Sequence, residues 1–104
     1  MGNSGGFIVS PLAKQDMREI WKFLAKLNRP SADNLIREIT SKFSTLAQFP
    51  EMGRPRNDLL LYLRSFAVKN YLILYQPNPI GVEILRVVHG SRDITKIFDD
   101  MVGE

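Results

Sequence analysis

Cysteine is absent from the 104 residues. Neither a disulfide framework nor a thiolate zinc site can form, and the single histidine, His89, cannot supply a multi-histidine centre. No cofactor is expected. Long apolar runs are missing too: none approaches the roughly 20 residues needed to cross a bilayer, and the amino terminus lacks the basic-then-apolar pattern of a signal peptide. A cytoplasmic protein without membrane contact is the expectation. Glycine is too sparse for a phosphate cradle, since Gly90 stands alone and Gly53 runs straight into Arg54, Pro55 and Arg56. Charge of one sign is in small excess. A net +3 steers acidic partners mildly, and it falls short of the dense Lys/Arg stripe that grips duplex DNA, so sequence-specific nucleic-acid binding is not expected.

What remains is an ordinary globular composition, 44% hydrophobic and 24% charged, which excludes a disordered chain. The length allows one core and so one domain, expected over residues 7–104, with Met1–Gly6 (three glycines, no anchoring side chain) as a flexible tail. Phe7-Ile8-Val9 is β-prone and bounded by Gly6 and Pro11, a short strand. Ser10-Pro11 pairs a favoured N-cap with a proline suited to the first helical position. From there Ala13, Met17, Ile20, Leu24 and Leu27 recur at helical spacing, with Lys14, Asp16, Arg18, Lys22 and Lys26 on the other side. Asn28-Arg29-Pro30-Ser31 is expected to break that helix. Ala32, Ile36, Ile39, Phe43 and Leu46 then start the period again until Phe49-Pro50, and so short a link makes the helices antiparallel neighbours. Trp21 and Phe43 read as core residues.

Residues 51–58 carry Gly, Pro, Asn and Asp without an apolar period, a connecting loop with solvated Arg54 and Arg56. Three β-prone runs follow, 60–68, 71–76 and 82–89. Lys69-Asn70 leaves room for a tight hairpin with Asn70 at positive φ, and 77–81 forms a second hairpin loop. Residues 94–101 close the chain as a short helix, and 101–104 are expected to fray. The sum is an α+β, two-layer fold: an amino-terminal strand, an antiparallel helical hairpin packed on an antiparallel meander, and a terminal helix. Tyr71, Ile73 and Tyr75 alternate with Leu72 and Leu74, so the sheet is apolar on both faces. The face without helices is expected to need a partner over part of it, or else the terminal segment as its cover.

Polar groups gather where the last strand ends, at Arg86-Val87-Val88-His89-Gly90-Ser91-Arg92-Asp93. Gly90 is expected to leave the sheet at positive φ, and Ser91 or Asp93 to cap the terminal helix. A Ser91–His89–Asp93 relay is not expected, because side chains at successive strand positions point to opposite faces. This ending resembles that of ParE-type toxins in the RelE/ParE superfamily. Phe49-Pro50-Glu51-Met52-Gly53-Arg54, and Leu63-Arg64-Ser65-Phe66 followed by Tyr71-Leu72-Ile73-Leu74-Tyr75, agree with that family in order and spacing, so the resemblance runs from Phe7 to Phe98.

The resemblance implies the toxin of a type II toxin–antitoxin pair that inhibits DNA gyrase by binding it, with no catalytic residue, and is held in a hetero-oligomer by a ParD-like antitoxin. A RelE-like ribosome-dependent mRNA endoribonuclease is the alternative, and a non-toxic binding module of the same fold the third. RelE-like nucleases are expected to carry strand cations and a terminal tyrosine; the matching positions here are Leu63, Ser65, Leu72 and Phe98, and only Arg92 survives. The family positions retained are Arg64, Tyr71, Tyr75, Arg86, His89, Gly90, Arg92 and Asp93. Of these, Arg64, Arg86, His89 and Arg92 are expected to meet the target, and Gly90, Asp93, Tyr71 and Tyr75 to serve the fold, the tyrosines with their hydroxyls at the rim. The antitoxin is expected on the hairpin at Lys14, Arg18, Trp21, Leu24, Arg37 and Ile39, or over the open sheet face.

Overall fold

Ser10 and Pro11 open the first helix, α1 (Pro11–Leu27), in the computed structural model, which describes residues 6–102. The Ser10 hydroxyl accepts the Ala13 N–H at 3.0 Å. The break after α1 is shorter than expected. Asn28 alone makes it: its N–H donates to Leu24 O at 2.8 Å, closing α1, while its side-chain oxygen accepts the Ser31 N–H at 3.0 Å, opening α2 (Arg29–Gln48). Pro30 falls in the first turn of α2, where its missing N–H costs nothing. Leu27, read as a core position, is exposed because it ends α1 at the tip of the hairpin.

Five strands form one mixed sheet in the order β1 (Gly6–Val9), β5 (Gly81–His89), β4 (Tyr71–Asn78), β3 (Arg64–Val68), β2 (Arg54–Pro55). β3, β4 and β5 are the expected antiparallel meander, and β1 joins β5 in parallel. Gly6 belongs to β1, not to a tail, and donates its N–H to Ile80 O at 3.0 Å; residues 1–5, like the expected fraying at 103–104, lie outside the described residues. The expected loop 51–58 holds a 3₁₀ turn (Pro50–Met52) and the edge strand β2. The strand expected from Leu60 begins only at Arg64, because Tyr62 adopts a left-handed φ of 66° that no strand can carry. At the first hairpin Lys69 (φ 53°), not Asn70, takes the left-handed conformation. The second hairpin turns within Pro79-Ile80, since Asn78 already pairs with Gly81.

α1 and α2 cover one face. Ala13, Leu35, Ile39, Phe43 and Leu46 meet Val68, Ile73, Tyr75, Val82, Ile84 and Val87 there. The opposite face is not left open: of the two covers expected for it, the terminal segment and not a partner lies there. Leu63, Leu74 and Val88 are closed over by Ile97 and Phe98 of α3 (Ile94–Val102), with Leu59 and Leu60 of the preceding turn packed alongside. The sheet can be apolar on both sides because its own chain supplies both lids. A bulge makes the two cores possible. Strict alternation would put Val82, Ile84 and Val88 on one face, yet Val82, Ile84 and Val87 share the helix side and Leu85 and Val88 the other. Leu74 pairs with Arg86 and Tyr75 with Ile84, leaving Leu85 as the extra residue that resets the parity.

Candidate functional site

β1 pairs with β5 only as far as Val9–Ile84, so beyond that point the outer edge of β5 needs another cover. The start of α1 provides it. Ser10 donates its N–H to Ile84 O at 2.9 Å and its hydroxyl to Leu85 O at 2.8 Å. Nearly two turns on, the Asp16 carboxylate accepts the Val87 N–H at 3.0 Å and two N–H groups of the Arg86 guanidinium, at 2.7 and 2.9 Å. Both side chains are about 85% buried, with 15% and 14% left exposed. The hydrogen bonds that Arg86 donates to Asp16, assisted by the carboxylate charge, push the Arg86 pKa up against the opposing effect of burial. Arg86, expected to meet a target, is therefore committed to the fold.

Arg64 is committed in the same way on the far side of the sheet. Its guanidinium donates to Glu51 O at 3.0 Å and Gly53 O at 2.6 Å, fastening the segment that leads from α2 into β2. Tyr75 completes that fastening from below. Its hydroxyl donates to Pro50 O at 2.8 Å and accepts the Gly53 N–H at 2.8 Å. The expectation of a hydroxyl at the rim is corrected, because Tyr75 is fully buried and burial raises its pKa. Gly53 is required by close approach: a Cβ there would run into the Tyr75 ring.

His89 and Arg92 do come together. Both are exposed and line a cleft with Tyr71, Val88 and, from α1, Ile20 and Phe23. His89 stands edge-on to Tyr71, ring centroids 5.2 Å apart at 81°. Contrary to the strand-parity argument, His89 Nδ1 lies 2.8 Å from Ser91 Oγ, because the chain turns after His89 instead of continuing extended. No relay results: the same Nδ1 accepts the Ser91 N–H at 3.1 Å, and Asp93 caps α3 by accepting the Lys96 N–H at 3.3 Å. Gly90 is not in a left-handed conformation; it donates its N–H to Asn70 O at 2.7 Å, and a Cβ there would meet nothing closer than 3.4 Å. Phe23 was missed by periodicity, although an aromatic on the polar side of α1, 63% exposed, was the available signal.

The six residues expected to meet an antitoxin separate into different places. Lys14 and Arg18 flank an apolar groove lined by Phe7, Val9, Met17 and Ile36. Leu24 borders another depression, with Leu35 and Lys69. Arg37 is exposed and donates to Asn34 Oδ1 at 2.8 Å. Trp21 is half-buried and latches the hairpin, donating its indole N–H to Asp33 Oδ1 at 2.7 Å beneath the Arg29 guanidinium. It is not a core residue, whereas Phe43 is. Ile39 is wholly buried and cannot touch a partner unless the hairpin opens.

Known proteins agree with this architecture. The family described as ParE toxin of type II toxin-antitoxin system, parDE, matches residues 7–94. Toxin ParE3 of Caulobacter vibrioides is 41% identical over 59 residues, 57% of this chain and 59% of that toxin, so this match spans less than two thirds of the relative's length. Toxin ParE1 of the same organism is 30% identical over 84 residues, covering 80% of this chain and 86% of the relative, and Toxin RelE3 is 30% identical over 83, covering 78% and 89%. A solved structure titled "Chromosomal ParDE TA system from P. aeruginosa" shares the fold, with a TM-score of 0.69 over 81% of this chain and 94% of that one at 17% identity. By the family match along most of its length, the chain belongs to the ParE toxins of type II toxin–antitoxin systems.

Proposed function

We propose that this toxin inhibits DNA gyrase in the cytoplasm by binding it directly, without a chemical step, and that a cognate ParD-like antitoxin neutralises it in a hetero-oligomer. One observation carries the reading. The cations that a phosphate-cleaving site would need at the sheet are tied into the fold: Arg64 holds two backbone carbonyls and Arg86 holds Asp16. At the terminal helix Phe98 is buried and has no hydroxyl for proton transfer. What stays accessible is the cleft of His89, Arg92, Tyr71 and Phe23, lined also by Glu19. An arginine beside aromatics is the mixture that concentrates binding energy at protein interfaces, which supports reading the cleft as the recognition surface. No helix among the described residues is long and apolar enough to cross a membrane.

Purified protein is expected to block supercoiling by gyrase while leaving ribosome-bound mRNA full-length. Arg92→Ala should weaken the block about tenfold, the loss of one charged contact, with the melting temperature unchanged. The RelE-like alternative is supported by the 30% identity to Toxin RelE3. Cleavage of ribosome-bound mRNA, lost on Arg92→Ala, would establish it instead, and a protein without effect on growth would point to a non-toxic binding module.

A further inference from the structure

We infer that the outer face of α1 docks on duplex DNA through its phosphates, without reading the bases. The choice of duplex DNA rests on the gyrase reading above, whose target holds one; the docking face rests on where the charge lies. Of the 14 basic and 11 acidic residues, seven and four fall in α1 and α2, and seven and seven fall elsewhere. The helical hairpin thus carries the whole net charge of +3. Two of its four acids are already matched: Asp16 turns inward onto Arg86, and Glu38 pairs with Lys69 at 3.7 Å. Of the other two, Asp33 accepts the Trp21 indole N–H, and Glu19 accepts the Gln15 side-chain amide and lines the cleft of His89 and Arg92. Averaged over the chain the excess charge is small; on the hairpin it is undiluted.

Four of the hairpin's cations form one row. Lys14, Arg18, Lys22 and Lys26 follow one another at every fourth residue of α1, all are exposed, and among the described residues none joins an ion pair. Each step rises about 6 Å and the whole row about 18 Å. Along each strand of a duplex a phosphate recurs about every 3.4 Å of axis, so a row of this length spans enough phosphates to give every cation one. By helical spacing the same face otherwise holds Pro11, Gln15 and Ala25, while Met17, Ile20 and Leu24 turn to the core. A protein partner is anchored by large apolar and aromatic side chains at the centre of its interface, and this face offers none. A second copy of the chain would set the row against itself. Phosphates ask for cations alone. Three of the four are lysines, flexible point charges without the planar fork that reads a guanine edge, so the contact is indifferent to sequence.

The test is fluorescence anisotropy of a labelled DNA duplex of about 20 base pairs, titrated with the purified toxin across about 20 to 150 mM salt. Four phosphate contacts predict a slope of log K against log salt of about −3 to −4, the same for two unrelated sequences. Arg18→Gln with Lys22→Gln should reduce the steepness by about 2. Arg54→Gln with Lys96→Gln removes the same charge from exposed sites elsewhere and should leave the slope unchanged. Glutamine forms helices about as well as lysine and arginine, and equal melting temperatures confirm that the variants fold. Equal loss in both pairs overturns the inference. No binding at the lowest salt overturns it too and leaves the row to an acidic protein; inhibition of supercoiling by the same unaltered protein then keeps the gyrase reading. Tighter binding of an RNA duplex of the same length overturns the choice of DNA. A toxin that holds DNA by this row and leaves supercoiling untouched overturns the gyrase reading and upholds the docking face.

Discussion

Asp16 shows how one side chain can decide the role of another. Its carboxylate serves a backbone N–H and a guanidinium at once, so Arg86 acts as a brace between β5 and α1. Asp16→Asn should cost about 2–4 kcal/mol, somewhat less than a fully buried pair broken on one side. Arg86→Met should cost a similar amount, and Asp16→Leu with Arg86→Met less than the sum, as urea unfolding of the four proteins would show. If Arg86 touched the target instead, Arg86→Met would abolish inhibition and Asp16→Asn would spare it. Tyr75 gives a second test at this scale. Burial raises its folded pKa above the ordinary value near 10, so its contribution to stability is fully present below that pH and is lost as pH rises through the folded value. Tyr75→Phe should lose about 1–3 kcal/mol at neutral pH by leaving the Gly53 N–H unpaired. It should also flatten the fall in stability above about pH 10, measured by urea unfolding across that range.

At the scale of elements, β1 and the β4–β5 hairpin meet through two glycines. Gly81 has a φ of 150°, and a Cβ on it would run into the Gly6 carbonyl, so Gly81→Ala must push β1 off the sheet. The expected loss is about 2–4 kcal/mol, with the Ile8 amide losing its exchange protection while those of β3 and β4 keep theirs. Much of this architecture is legible in the chain itself. Ser10-Pro11 marks a helix start, the four-and-three spacing marks both helices, and Lys69-Asn70 marks a hairpin, because each depends on neighbours in sequence. The bulge at Leu85 is not legible, since β5 is apolar on both sides and a shift of parity leaves the pattern unchanged. Nor is the Asp16–Arg86 pair, whose members stand 70 residues apart. Helical periodicity identifies the apolar stripe holding Ile39 without showing that the sheet occupies the space opposite, so a buried residue looks available for contact. Of the expected target set, His89 and Arg92 line one accessible cleft; Arg86 is held by a carboxylate and Arg64 gives one nitrogen to two backbone carbonyls, partners that sequence cannot bring near them.

For the molecule as a whole, α3 is the thin side of the structure: nine residues cover a sheet face whose opposite side has two helices. Phe98→Ala should cost about 3–5 kcal/mol and expose Leu74 and Val88. Binding of a dye such as ANS, with loss of solubility, would report the opened face, and an unchanged dye signal would mean that Leu59 and Leu60 close the gap. The parallel pairing of β1 with β5 has a consequence for synthesis. Ser10 finds its partner Leu85 75 residues later, so the first strand made is among the last to be paired. Until the ribosome has delivered β5, the nascent chain holds the helical hairpin and the β3–β4 hairpin without the strand that joins them to β1, and loop closure over that span is slow. A chain cut short before β5 should therefore fail to fold, with β1 unpaired and the core without Val82, Ile84 and Val87.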